Sequence, residues 1–171
     1  MSKQVMLILL CGLIVLMGCQ RREAELDIDL LEAQDTVRLI DPDQDLSNSW
    51  LSGDSTVVKD SVYIRLRAIL HSAPNGFIYE IRWRMLTVND SVLKTDRGIF
   101  SPEIYLEEEQ SRNIGLYIPV DNYIAYGADL SSDDTLNYKG SMRCEVWVYG
   151  ATPYEYVISD TLKFWVNFTL D

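Results

Sequence analysis

The chain has 171 residues, 47% apolar and 24% charged, enough for one globular domain with a real core and too apolar for a disordered class. A net charge of −11 excludes nucleic acid as a partner class, because phosphate recognition needs a clustered basic surface that releases counterions. Ten Tyr with many Val and Ile favour a pleated, half-buried surface, so composition leans towards β structure.

The chain opens on Met1-Ser2-Lys3-Gln4, runs almost uninterrupted through apolar residues from Val5 to Met17, and closes on Gly18-Cys19-Gln20-Arg21-Arg22. A short basic start, a brief apolar run and a small residue at the cut are the parts of an export signal. The run is several residues short of the roughly 20 that a membrane span requires. Leu16-Met17-Gly18-Cys19 resembles the lipobox of bacterial lipoproteins, although Met17 stands where that family usually has a smaller or β-branched residue. The resemblance implies cleavage after residue 18, lipidation of Cys19 and a membrane partner reached through acyl chains. Two or more such chains hold a protein durably, whereas one does so only marginally. Gln20, in place of the Asp that retains enteric lipoproteins at the inner membrane, favours the outer membrane of the cell envelope.

Residues 19–55 read as a polar, acidic tether behind the lipidated cysteine, continued by the turn-rich Asp41-Pro42-Asp43-Gln44-Asp45. The folded domain is expected over 56–171. Val62, Ile64, Leu66, Ala68 and Leu70 alternate with Tyr63, Arg65, Arg67 and Ile69, the period of a half-buried strand. Phe77, Tyr79, Ile81, Trp83 and Met85 alternate with Glu80, Arg82 and Arg84, after the turn Ser72-Ala73-Pro74-Asn75-Gly76. Further strands are expected over 93–100, 113–120, 141–150 and 154–170, the last bent or bulged near Asp160, with Val88-Asn89-Asp90-Ser91 as a tight hairpin. About seven strands without a long helical period point to an all-β fold, an antiparallel sandwich resembling immunoglobulin-like domains. A lipocalin-like barrel of eight long strands would need more chain.

If the first two strands form a hairpin with Leu66 opposite Trp83, Arg67 faces Arg82 and Arg65 faces Arg84 on the other face. Like charges directly opposite destabilise. The four guanidinium groups therefore call either for carboxylates from a neighbour, with Glu80, Glu145 and Glu107-Glu108-Glu109 as candidates, or for an anion or a partner. Arg binds carboxylate and phosphate in a bidentate manner and recurs at binding hot spots. Met142, Cys144, Val146 and Val148 form one face of their strand, and Leu162, Phe164, Val166 and Phe168 one face of theirs. This leaves Trp147, Tyr149 and Trp165 on the opposite faces, as a candidate surface for protein or glycan contact unless a loop or the tether covers them.

No metal or cofactor is expected. Asp129-Leu130-Ser131-Ser132-Asp133-Asp134 and 41–45 lack the Gly and Glu of a calcium loop and read as surface turns. One His and one Cys in the body give no zinc set. His71 has no nearby nucleophile to serve, so no enzyme is expected. Lone Cys144 reads as a small buried apolar side chain.

Trp50 and Asp54 ahead of the strand Tyr63-Ile64-Arg65-Leu66-Arg67 resemble the gliding-motility-associated lipoproteins of Bacteroidetes. That resemblance implies an accessory component of envelope machinery. The function expected is that of a membrane-anchored, non-enzymatic lipoprotein with an envelope protein as partner. The alternative is a ligand- or glycan-binding lipoprotein using the exposed aromatics or the Arg patch.

Overall fold

The computed structural model describes residues 23–39, 60–133 and 139–170. The segment expected as a signal, Cys19, Trp50, Asp54 and the turn expected over 41–45 lie outside the described residues. Among the described residues nine strands and one helix follow one another as β1 Glu25–Ala33, β2 Thr36–Leu39, β3 Asp60–His71, β4 Asn75–Leu86, β5 Val92–Glu107, β6 Ser111–Val120, α1 Asn122–Asp133, β7 Lys139–Ala151, β8 Tyr156–Ile158 and β9 Leu162–Leu170. The fold is all-β, as expected, with two sheets. The smaller is ordered β1-β3-β6, and the larger β2-β9-β7-β4-β5 with β8 paired to β7. Every pairing is antiparallel except that of β2 with β9.

One core lies between the inner faces of the two sheets. The smaller sheet supplies Leu26, Ile64, Leu66, Leu70, Ile114 and Ile118; the larger supplies Ile81, Met85, Val146, Val148, Val166 and Phe168. Even-numbered residues from Val62 to Leu70 are all buried, as the alternation along β3 requires. Cys144 is fully buried on the same inner face of β7 as Met142 and Val146. Burial pushes its thiol up to about 12, so it is not a thiolate at neutral pH. Cys144 should therefore react with an aromatic disulfide reagent only once denaturant unfolds the chain; rapid native labelling of Cys144 would contradict its place in the core.

Three expectations need correction. Residues 25–39 are not tether: Leu26, Ile28 and Leu30 alternate with Asp27 and Asp29, and β1 buries Leu26 and Ile28 against β3. After a bulge between Leu30 and Glu32 the chain crosses to the other sheet, where Val37 is fully buried as β2 pairs with β9. Second, β3 and β4 do not form a hairpin. They lie in different sheets, joined across the core by Ser72-Ala73-Pro74, with Ser72 at a φ of 61° and Ala73 buried. Third, Asp129–Asp133 is not a surface turn but the second half of α1, with Asp129 fully buried. Asp121 caps that helix, its Oδ1 accepting from the Ile124 amide at 3.0 Å, and Ile124, Ala125 and Ala128 are buried where the helix packs on β7. The strand count exceeds seven because the acidic segment contributes two, and because the 154–170 run is split at Ser159–Thr161 into β8 and β9.

Candidate functional site

The four arginines belong to two surfaces. Arg65 and Arg67 project from the outer face of the smaller sheet beside β1, where Glu32 lies 3.3 Å from Arg65 and Asp29 2.6 Å from Arg67. Arg82 and Arg84 project from the outer face of the larger sheet. The predicted Arg67–Arg82 and Arg65–Arg84 pairs do not exist, since β1 and β6 flank β3 while β5 and β7 flank β4. Like-charge opposition does arise elsewhere, between Arg82 and Arg97 across β4 and β5. Glu80 offsets it by pairing with both, to Arg82 through Nε and to Arg97 at 3.9 Å.

The second carboxylate foreseen from the sequence, Glu145, is almost wholly buried beneath three cations. Its Oε2 lies 2.6 Å from Arg84, and its Oε1 lies 3.2 Å from Arg143 and 3.7 Å from Lys163. Burial pushes its pKa up, but the Arg84 hydrogen bond and the charges of Arg84, Lys163 and Arg143 outweigh that and leave it below the ordinary carboxylate value. Arg143 also meets Asp90 at 2.6 Å, which ties the β4–β5 hairpin to β7.

The aromatic surface shares this face. Trp147 stands opposite Arg82 and half-buried Tyr149 opposite Glu80, while Trp165 stands opposite Arg143 and is 49% exposed. Arg82 lies over the Tyr149 ring, 4.4 Å from its centre, and donates from Nη1 to the Tyr149 hydroxyl at 3.3 Å. Trp147, Arg84, Ile158, Ser159 and Thr161 line a depression of about 290 Å³. So Arg82, Arg84, Trp147, Tyr149 and Trp165 come together on one face, while Arg65 and Arg67 lie on another.

The sequence reading missed a larger groove at one end of this face. The β4 ladder slips between Ile78 and Glu80 against both neighbours: Tyr79 is an extra residue against β7, whereas against β5 the excess lies on β5, between Ile99 and Ile104. A one-residue slip reverses which side chains face the core. Ile78 is therefore buried, and Phe77 and Tyr79, expected inside with Ile81, face outward. With Tyr154 from the β7–β8 connection and Tyr156 at the start of β8, and with Glu103 and Glu155, they line a groove of about 630 Å³. The cue in the sequence was Phe77-Ile78-Tyr79-Glu80-Ile81, where two overlapping alternations compete.

His71 ends β3 between two carboxylates, Glu109 2.7 Å from Nδ1 and Asp27 3.2 Å from Nε2. The Glu109 hydrogen bond raises its pKa; partial burial opposes this, and the charges of Glu109 and Asp27 reinforce the rise. A raised folded value adds stability below the unfolded pKa of 6.5, and this is lost as pH rises through the folded value. An NMR titration should place the His71 midpoint above 6.5, and Glu109→Gln should bring it down; a midpoint at or below that value would contradict the pairing.

No protein-family model matches the chain, and no curated protein does. Solved structures resemble it in shape alone. A chain described as the ApaA protein of Bordetella pertussis is 11% identical over 85% of this chain and 94% of its own, with a TM-score of 0.47. A protein from Archaeoglobus fulgidus is 7% identical over 67% of this chain and 95% of its own, with a TM-score of 0.45. At these scores and identities neither likeness bears on function.

Proposed function

We propose that the chain is a lipid-anchored lipoprotein of the bacterial envelope, held through Cys19 and acting without catalysis as a binding component of an envelope complex. Its partner contacts the outer face of the larger sheet. The observation that carries this reading is the gathering of Arg82, Arg84, Trp147, Tyr149 and Trp165 on one face, with Trp165 half exposed at the surface. Trp, Tyr and Arg are the residue types enriched at interface hot spots. The lipobox-like Leu16–Cys19 run supports the anchor, and Gln20 supports an outer-membrane address. We read the two sheets as an immunoglobulin-like sandwich. Supporting this, β1, β3 and β6 lie in one sheet and β9, β7, β4 and β5 in the other, with the first strand divided between the two.

A photo-crosslinking amino acid placed at position 165 tests the interface in intact membranes, with position 117 on the smaller sheet as control. Tyr117 is 67% exposed, so both positions are reachable. The reading expects one discrete protein adduct from position 165 and none like it from position 117. The same adducts from both positions, or none from 165, would overturn it.

A further inference from the structure

The groove beyond Tyr149 is a different surface from the one assigned to a protein partner, and its chemistry points to another ligand. Its walls are the rings of Phe77, Tyr79, Tyr154 and Tyr156, of which Phe77 is 41%, Tyr154 64% and Tyr156 82% exposed. Large apolar rings in such number seldom stay open to water on a monomer without a binding role. Phe77 and Tyr79 lie 6.5 Å apart between ring centres, so two of the groove's rings stand side by side. The volume of about 630 Å³ falls within the range of small-ligand sites.

Polar groups decide the class. Glu103 and Glu155 line the groove and, among the described residues, no basic side chain does, so these carboxylates disfavour an anionic ligand there. Glu155 is held in place by the Ala24 amide, which donates to its Oε1 at 3.0 Å. A ligand in the groove therefore meets carboxylate acceptors and tyrosine hydroxyls that both donate and accept. A neutral polyhydroxylated molecule answers both. Its hydroxyls donate to carboxylates and accept from phenol, while its carbon-bound hydrogens pack on the rings.

We infer that the groove walled by Phe77, Tyr79, Tyr154 and Tyr156 is a binding site for a neutral carbohydrate chain. It goes beyond the protein-contact reading and involves different residues.

Native electrophoresis of the full detergent-solubilised chain through gels containing polysaccharide tests the inference. Dextran, glycogen, mannan, a β-1,3-glucan and hydroxyethylcellulose serve as neutral probes, and polygalacturonate as an acidic one. At least one neutral polymer should slow the protein and polygalacturonate should not. Tyr156→Ala should weaken that retardation roughly tenfold through loss of a stacking ring, Glu103→Gln a few-fold, and Tyr156→Phe little. Tyr156 is 82% exposed, so its truncation should leave the melting temperature unchanged. Retardation by the acidic polymer alone, by no polymer, or undiminished in both Tyr156→Ala and Phe77→Ala would overturn the inference. Crosslinking from position 165 in the Tyr156→Ala background separates the two readings. An adduct that persists while retardation is lost leaves both standing, and each fails on its own readout.

Discussion

Phe168→Ala should destabilise the domain by about 4 kcal/mol and lower its melting temperature by roughly 10 °C or more. Phe168 is 1% exposed and among the largest fully buried side chains. Across the β7–β9 ladder it stands opposite Gly140, and on its other side opposite Val37 of β2. A Cβ at residue 140 would come within 2.5 Å of the Phe168 ring and 2.8 Å of the Asp129 backbone nitrogen. The ring therefore occupies the space that the glycine leaves open, beneath the helix. Alanine at 168 would leave a cavity walled by two sheets, which has little freedom to collapse. Gly140→Ala should also destabilise, because backbone on one side and a packed ring on the other give it no room. Urea unfolding measures both, and a loss under 1 kcal/mol for Phe168→Ala would contradict the packing described.

Glu145→Gln should cost about 2–3 kcal/mol. The carboxylate is 1% exposed and is the common partner of Arg84, Arg143 and Lys163. Removing one member of a buried pair costs more than the pair contributes, because the remaining charge is left without compensation. The figure is set below that for a fully buried pair because Arg84 is 44% and Lys163 61% exposed, so water can replace part of what they lose. Asp29→Asn, which removes the partner of Arg67 on the opposite surface, should cost under about 1 kcal/mol, both side chains being half exposed. The Glu145 pKa is lowered on folding, so its stabilisation is present above the unfolded carboxylate value of 4.5 and fades as pH falls through the lower folded value. Chemical denaturation at neutral and acid pH should show the wild type losing this increment on acidification and Glu145→Gln lacking it throughout. Equal sensitivity of Glu145→Gln and Asp29→Asn would contradict the burial of Glu145.

The period-two pattern disclosed most of the strands. Val62 to Leu70, Met142 to Val148 and Leu162 to Phe168 each place their apolar set in the core, because the pleat permits no other phase once one face is buried. The same pattern lay in Leu26, Ile28 and Leu30, where dense acidic neighbours suggested a tether; in a sheet those acids simply face water and pair with Arg67 and Arg65. Pairing partners were not legible. The Ser72-Ala73-Pro74 turn suits a hairpin by composition, yet it carries the chain across the core, and no local rule separates those outcomes. Two of the carboxylates that answer the arginines, Glu80 and Glu145, were foreseen by identity but not by geometry, since the register on which they depend involves strands distant in sequence; the other two, Asp29 and Glu32, lay in the segment read as tether. The groove stayed hidden for a related reason. A bulge at Tyr79 against β7 changes the phase of β4 part-way along, and an alternation read from one end assigns Phe77 to the wrong side.

The proposed function rests most heavily on the covalent anchor proposed at Cys19, because a binding face on a freely diffusing domain would serve a different purpose. Intact-mass spectrometry of protein purified from its native membrane tests this directly. The predicted species begins at Cys19 and carries the mass of a diacylglyceryl group, with or without a third acyl chain. A species retaining Met1, or one beginning at Cys19 without acyl mass, would contradict it.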